Sequence, residues 1–139
     1  MVDAQNAVKK DKPVFRNIGL AQLIHYRLPW AGKVSILHRI SGAVLFLMLP
    51  FLLYLLDLSL ASELSYQNFQ AITGHVLVKI VCLGLIWCFL HHFCAGIRYL
   101  LLDLEIGVEK NEANRSAIIV FILGVALTAI VGLKLFGLY

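Results

Sequence analysis

The stretch SILHRISGAVLFLMLPFLLYLL, residues 35–56, decides the fold, because it joins a hydrophobic run of membrane-crossing length to two ionisable residues, His38 and Arg39. Ionisable groups are costly inside a bilayer and mark functional sites by default. Residues 75–102 and 116–138 are similarly apolar, and each of the three stretches has the ~20 residues that a helix needs to cross a ~30 Å hydrocarbon core. The second also carries a histidine pair, His91 and His92. The sequence therefore predicts an all-α membrane protein with three transmembrane helices.

The composition agrees with this class of protein, because 60% of the 139 residues are hydrophobic and only 14% are charged. A chain of this length forms one domain at most. We predict a single domain over residues 1–139, with an arm and interfacial segment over 1–32 and helices at about 33–57, 75–103 and 115–138. Short polar linkers are expected to join these helices.

Basic residues crowd the start of the chain and are absent from residues 58–74. Lys and Arg near the ends of spans stay on the cytoplasmic side, so the N-terminus is expected in the cytoplasm. The first 25 or so residues lack the apolar core of a signal peptide and resemble a retained cytoplasmic arm. The net charge of +4 suits contact with anionic membrane lipid or an acidic soluble partner. No groove-reading motif is present, so no nucleic-acid partner is expected.

One face of the second helix is specialised. His92, Gly96, Tyr99 and Asp103 follow i, i+4, i+7 and i+11 spacing, which places them in one stripe. A histidine facing the bundle interior, with a glycine one turn away that clears room for a flat macrocycle, fits an axial haem ligand. The Tyr99 hydroxyl could then donate to a propionate. The alternative is a buried histidine that is hydrogen-bonded between helices. His91 lies ~100° around the helix and faces a neighbouring surface instead.

The first helix carries a cluster of donors at its start. Ser35, His38, Arg39 and Gly42 share a face, and the apolar run that follows Arg39 gives only ~25 Å of helix. Arg39 is therefore expected at or slightly within the inner hydrocarbon boundary, in the same leaflet as His92. Such donors could hydrogen-bond a carbonyl oxygen of a lipophilic ligand such as a quinone. The alternative is a basic helix start that snorkels to the lipid headgroups.

Two runs of sequence carry a family resemblance. The first is Tyr26-Arg27-Leu28-Pro29 followed by Ser35-Ile36-Leu37-His38-Arg39-Ile40-Ser41-Gly42, and the second is His92, three residues, then Gly96-Ile97-Arg98 with Asp103 beyond. In order and spacing, over roughly residues 15–139, the chain resembles the cytochrome b membrane-anchor subunit of succinate dehydrogenase, or Complex II.

The resemblance implies a multi-pass subunit of the bacterial cytoplasmic (inner) membrane, within a multi-subunit helical bundle. In that complex a flavoprotein oxidises succinate in the tricarboxylic acid cycle, and an iron–sulfur subunit passes the electrons to ubiquinone. A second small hydrophobic subunit completes the anchor. Flavin and iron–sulfur clusters belong to the partner subunits, so this chain alone is not expected to be an enzyme.

By position, the resemblance also implies roles for single residues. Ser35 and Arg39 match residues that bind quinone, and His92 matches the axial ligand to the iron of haem b, which the second anchor chain shares. His38 matches a residue beside the haem and quinone pocket. Tyr99 departs from related bacterial chains, which often carry histidine there near a propionate. The acidic position at Asp103 suggests a role in proton delivery to reduced quinone.

Three alternatives stay open. The chain could be a purely structural membrane anchor for a soluble redox enzyme, with no haem or quinone contacts of its own. It could anchor a fumarate reductase, since that enzyme shares much of this design. A small transporter is the third alternative, although three spans without inverted-repeat symmetry are unfavourable to it.

Overall fold

The computed structural model describes residue 19 and residues 25–138, and this part of the chain is built from helices. Their bounds are α1 Trp30–Leu60, α2 Glu63–Gly74, α3 Val76–Asp103 and α4 Lys110–Leu135. Helices α1, α3 and α4 are each long and apolar enough to cross a membrane. The prediction of an all-helical protein with three membrane-crossing helices is confirmed to that extent. The arm proposed for residues 1–32 lies mostly outside the described residues.

The segment between the first two long helices is not the polar linker that the sequence suggested. Helix α1 continues to Leu60, and α2 occupies most of the chain between α1 and α3. The Ser62 hydroxyl accepts from the Ser65 amide at 3.1 Å, and the Ser65 hydroxyl accepts from the Ser62 amide at 2.8 Å, so the two residues form a capping box. This pairing satisfies amides that a helix start leaves without partners. The cap therefore turns a polar stretch into three turns of helix.

The long helices pack side by side, with α1 and α4 beginning at the end where α3 finishes. We call this end of the bundle, marked by Ala31, Asp103 and Asn114, the polar end. There the Ala31 amide donates to the Asn114 side-chain oxygen at 3.1 Å. Because Pro29, the residue before α1, provides no side-chain cap, α4 satisfies a first-turn amide of α1 from a distance of 83 positions in sequence.

A small apolar core holds the helices together just inside the polar end. Val34 from α1, Ala95 from α3, and Ala117 and Val120 from α4 pack into one buried cluster. All four side chains are no larger than valine, and the helices therefore approach closely. Gly124 continues this contact, since a Cβ added there would lie 3.5 Å from the Cα of His91. The close packing of α3 on α4 fixes which face of α3 is left for α1.

Candidate functional site

The centre of the site is a pair of stacked histidines from different helices. The rings of His38 on α1 and His92 on α3 are nearly parallel, with their centroids 4.1 Å apart and their planes 9° apart. The Tyr99 ring lies 5.1 Å from the His38 ring, centroid to centroid. The structure thus brings together three of the residues that the sequence singled out, on the faces of α1 and α3 that meet near the polar end.

The hydrogen bonds of His92 indicate which of its ring nitrogens carries the proton. Nδ1 lies 3.0 Å from the backbone carbonyl oxygen of His38. A carbonyl can only accept, so this contact is favourable when Nδ1 carries the hydrogen and donates. In a neutral imidazole Nε2 is then unprotonated and can act as an acceptor or as a metal ligand. Metal-ligating histidines are commonly oriented in this way, through a carbonyl that holds the other nitrogen.

Ser41 completes this arrangement, although no role was expected for it from the sequence. Its side chain is 1% exposed, and its hydroxyl donates to the His38 carbonyl at 2.9 Å. The same oxygen lies 3.3 Å from Nδ1 of His92. The only sequence signal was its position three residues after His38, from which a helical serine hydroxyl can reach back to the carbonyl.

The two glycines near the stack differ in the space around them. A Cβ at Gly42 would lie 2.8 Å from Cε1 of His92, which is shorter than any ordinary contact. A Cβ at Gly96 would lie 3.8 Å from Nε2 of His38, which is ordinary van der Waals contact. Gly42 is therefore the position at which the absence of a side chain lets His92 approach α1. At Gly96 a side-chain methyl group would fit beside the His38 ring without displacing it.

The Tyr99 hydroxyl is buried and has no hydrogen-bond partner among the described residues. Leaving a buried hydroxyl unpaired costs about 1–3 kcal/mol, so this hydroxyl is expected to donate to a group outside the described residues. The guanidinium of Arg98 lies 5.3 Å from the centroid of the Tyr99 ring. The Tyr99 hydroxyl is therefore a donor that is available to a group from outside the described residues.

The opposite face of α3 is used for packing on α4. Arg98 is buried, donating from Nε to the Ser116 hydroxyl and from a terminal nitrogen to the Ala113 carbonyl, both at 2.9 Å. His91 is fully buried, stacks on Trp87 with centroids 5.2 Å apart, and forms no hydrogen bond through either ring nitrogen within the described part of the chain. This matches the prediction that His91 faces a neighbouring surface.

The other predicted site residues lie apart from the stack. Ser35 is half-buried and Arg39 exposed on α1, and neither side chain has a hydrogen-bond partner among residues 25–138. Asp103 is exposed at the last position of α3. Within the described part of the chain, no group of three or more His, Cys, Asp or Glu side chains could hold a metal ion. A metal bound at His92 would therefore need ligands from outside these residues.

Three helices that are long and apolar enough to cross a membrane, with polar side chains gathered near one end, are typical of a small integral membrane protein. Residues 10–131 match the family model for the succinate dehydrogenase/fumarate reductase transmembrane subunit, and the chain belongs to this family. It is a cytochrome b anchor subunit of the succinate dehydrogenase type.

Its similarity to individual relatives leads to the same family. It is 37% identical to the succinate dehydrogenase cytochrome b556 subunit of Coxiella burnetii over 72% of this chain and 81% of the relative. It is 29% identical to the subunit of the same name from Paracoccus denitrificans, over 66% of this chain and 71% of the relative. A Rickettsia felis subunit of the same name is also 29% identical, over 74% of this chain and 80% of the relative.

Proposed function

We propose that this subunit binds haem b through His92 and helps to form the site at which ubiquinone is reduced in a bacterial succinate dehydrogenase. The observation that carries the haem assignment is the 3.0 Å contact between Nδ1 of His92 and the His38 carbonyl, because it leaves Nε2 free to bind iron. The cytochrome b name of the relatives supports the same cofactor.

The surrounding residues fit a haem that is shared between two chains. His38 would pack beside the macrocycle, and the unpaired Tyr99 hydroxyl would donate to a propionate. Tyr99 can donate but carries no positive charge near neutral pH, so a propionate here would receive a neutral hydrogen bond. The second axial ligand would be a histidine of the second anchor subunit. Haem b would supply a one-electron store beside the quinone.

Ser35 and Arg39 would bind the quinone. Arg39 is exposed and Ser35 is half-buried on α1, and their donors have no partner among residues 25–138. A quinone gains negative charge on its carbonyl oxygens as it is reduced, and a positioned donor stabilises that charge most strongly where water is excluded. Arg39 would supply the positive charge and Ser35 a neutral hydrogen bond. Asp103, exposed at the end of α3, would help deliver protons from the cytoplasm.

The subunit would work in a complex of four different chains in the cytoplasmic membrane, with its N-terminus in the cytoplasm. The partners would be a second small anchor, an iron–sulfur subunit and a flavoprotein. Electrons from succinate would pass from the iron–sulfur subunit to the quinone near the polar end. Arg39, together with Lys33, Lys110 and Arg115, places basic side chains at that end.

The haem assignment is tested by His92→Leu in the complex purified through a tag on this chain. We expect the b-type signal in the reduced-minus-oxidised spectrum to be lost or strongly altered. His91→Leu is the matched control, because it removes the adjacent imidazole while leaving the His38 contact in place, and it should retain the signal. An unaltered spectrum in His92→Leu would mean that the ligand lies elsewhere. A complex without haem in the unmodified protein would favour a purely structural anchor.

The quinone assignment is tested by Arg39→Leu. We expect quinone reduction by succinate to be abolished while succinate oxidation with a soluble dye continues, because the dye takes electrons before the membrane site. Arg115→Leu removes another exposed arginine at the polar end and should leave both activities near their normal rates. Unchanged quinone turnover in Arg39→Leu would refute the assignment.

A further inference from the structure

Ser41 makes a hydrogen bond that also occurs elsewhere on α1, but in a different setting. The Ser59 hydroxyl donates to the Leu56 carbonyl at 2.7 Å on the exposed surface, three residues back along the helix. Ser41 donates to the His38 carbonyl with the same spacing at 2.9 Å, but it is buried and its acceptor also faces His92. The Ser59 bond is a local feature of the helix surface. The Ser41 bond connects to the residue that we assign as a metal ligand.

Three hydrogen-bond donors compete for the carbonyl oxygen of His38. It lies inside α1, where the regular helical pattern directs the Gly42 amide to it. The Ser41 hydroxyl and Nδ1 of His92 add two further donors at 2.9 Å and 3.0 Å. A carbonyl oxygen has two lone pairs, so each added donor weakens the bonds that the others make.

We propose that the Ser41 hydroxyl, by competing for the His38 carbonyl, limits electron donation from His92 to the iron and so raises the midpoint potential of the haem. The proposal rests on the proposed ligation by His92. A ligating histidine becomes more basic when its other nitrogen donates a strong hydrogen bond. A more basic ligand stabilises the oxidised iron and lowers the potential, so weakening this hydrogen bond has the opposite effect. Ser41 is therefore a positioning residue that acts through His92.

A second contact of Ser41 acts in the opposite direction and is weaker. Its oxygen can also accept from Nδ1 of His92, which would strengthen electron donation, but this distance is 3.3 Å. The contact is longer than the 2.9 Å bond to the carbonyl, and hydrogen bonds weaken as they lengthen. The competition for the His38 carbonyl is therefore the stronger of the two effects, and the Ser41 hydroxyl raises the midpoint potential of the haem. Removing the hydroxyl should shift the potential downward.

The experiment is an optical redox titration, at fixed pH, of the purified complex carrying Ser41→Ala. We expect full haem content and a lower midpoint potential than in the unmodified complex. Ser59→Ala removes the equivalent hydroxyl from the other end of the same helix and should leave the potential unchanged. Ser41→Cys is nearly isosteric and retains only a weak donor, so it should shift the potential in the same direction by a smaller amount. If the Ser41→Ala complex fails to assemble, the Ser41→Cys complex is titrated in its place.

The hydrogen bond can also be observed directly. Hyperfine spectroscopy of the Nδ1 proton of the ligating histidine should report a stronger hydrogen bond in Ser41→Ala than in the unmodified complex. An unchanged or raised potential in a haem-loaded Ser41→Ala complex would overturn the proposal. Loss of haem from an otherwise assembled complex would also overturn it, because Ser41 would then be required for ligation.

The failure of this proposal can be distinguished from failure of the haem assignment. His92→Leu is measured in the same series. If His92→Leu retains the unmodified spectrum, the assigned ligand is wrong. A second outcome is that His92→Leu loses the haem signal while Ser41→Ala and Ser41→Cys titrate at the potential of the unmodified complex. In that case the assignment of His92 as the ligand is retained, and the role proposed for Ser41 is wrong.

Discussion

Replacing Gly42 by alanine should disturb the stacked histidines more than any other single added methyl group near them. The new Cβ would lie 2.8 Å from Cε1 and 3.3 Å from Nδ1 of His92. Carbon atoms in contact are ordinarily about 3.5–4.0 Å apart, so the His92 ring must retreat from α1 by about 0.7 Å. That retreat also carries Nδ1 away from the His38 carbonyl. The 3.0 Å bond between them then lengthens beyond hydrogen-bonding distance.

The expected free-energy change follows from three opposing contributions. Overpacking a tight contact costs about 1–3 kcal/mol. Loss of the hydrogen bond from His92 costs about 1 kcal/mol more. Replacing glycine by alanine inside a helix returns about 1 kcal/mol. The net destabilisation is therefore about 1–3 kcal/mol. A gain of about 1 kcal/mol is expected for Gly84→Ala, because a Cβ at Gly84 would meet nothing within 4 Å.

The assay combines haem content per complex, the reduced-minus-oxidised spectrum and thermal unfolding of the complex in detergent. Gly42→Ala should reduce haem content and the unfolding temperature, while Gly84→Ala should keep the haem and unfold slightly higher. Gly96→Ala makes only an ordinary 3.8 Å contact with His38 and should not lower the unfolding temperature. Full haem content, an unshifted spectrum and normal stability in Gly42→Ala would refute the steric argument.

Three further changes test features other than the packing of His92 on α1. Asn114→Ala should destabilise the bundle by about 1 kcal/mol, because the Ala31 amide loses its acceptor, whereas the exposed Asn111→Ala should have little effect in the same thermal unfolding assay. Tyr99→Phe should raise the unfolding temperature of the haem-free complex slightly, since it removes a buried hydroxyl that has no partner among the described residues, but it should weaken haem retention in a dilution assay. Ser62→Ala removes a cap and should destabilise α2 by about 1 kcal/mol, measurable as faster amide hydrogen exchange in that helix alone.

The long helices could be predicted because hydropathy depends only on which residues make up each stretch, but the ends of α1 and α4 could not. Helix α4 begins at Lys110, whereas its apolar run starts near Ser116. The polar first turns hold the Ala113 carbonyl and the Asn114 side chain, which bind α3 and α1. Helix α2 was missed for a related reason. Its stability depends on a reciprocal serine cap rather than on an apolar run, and the cap has Ser65 where the usual pattern has Glu or Gln.

At the site, helical spacing predicted which residues share a face but not which atoms meet. The stripe from His92 to Tyr99 was predicted, and the structure places both near His38. The role of the His38 backbone was not predictable, because every residue has a carbonyl and no sequence pattern marks the one that a distant side chain reaches. Gly42 was placed on the correct face, but its 2.8 Å separation from His92 depends on how closely α1 and α3 pack.

The exposure of α1 is consistent with a chain that forms only part of the proposed haem and quinone sites. Of the three long helices it is the least buried within the chain, although it carries Ser35, His38 and Arg39. A guanidinium facing lipid away from the headgroups costs about 2.5–3.5 kcal/mol, and each unpaired hydroxyl or imidazole adds to that cost. Cover by another molecule would remove this cost for any of these side chains that does not reach the headgroups. A second anchor chain and a bound quinone would provide that cover, and the donors of Ser35 and Arg39 would then be satisfied only in the assembled complex.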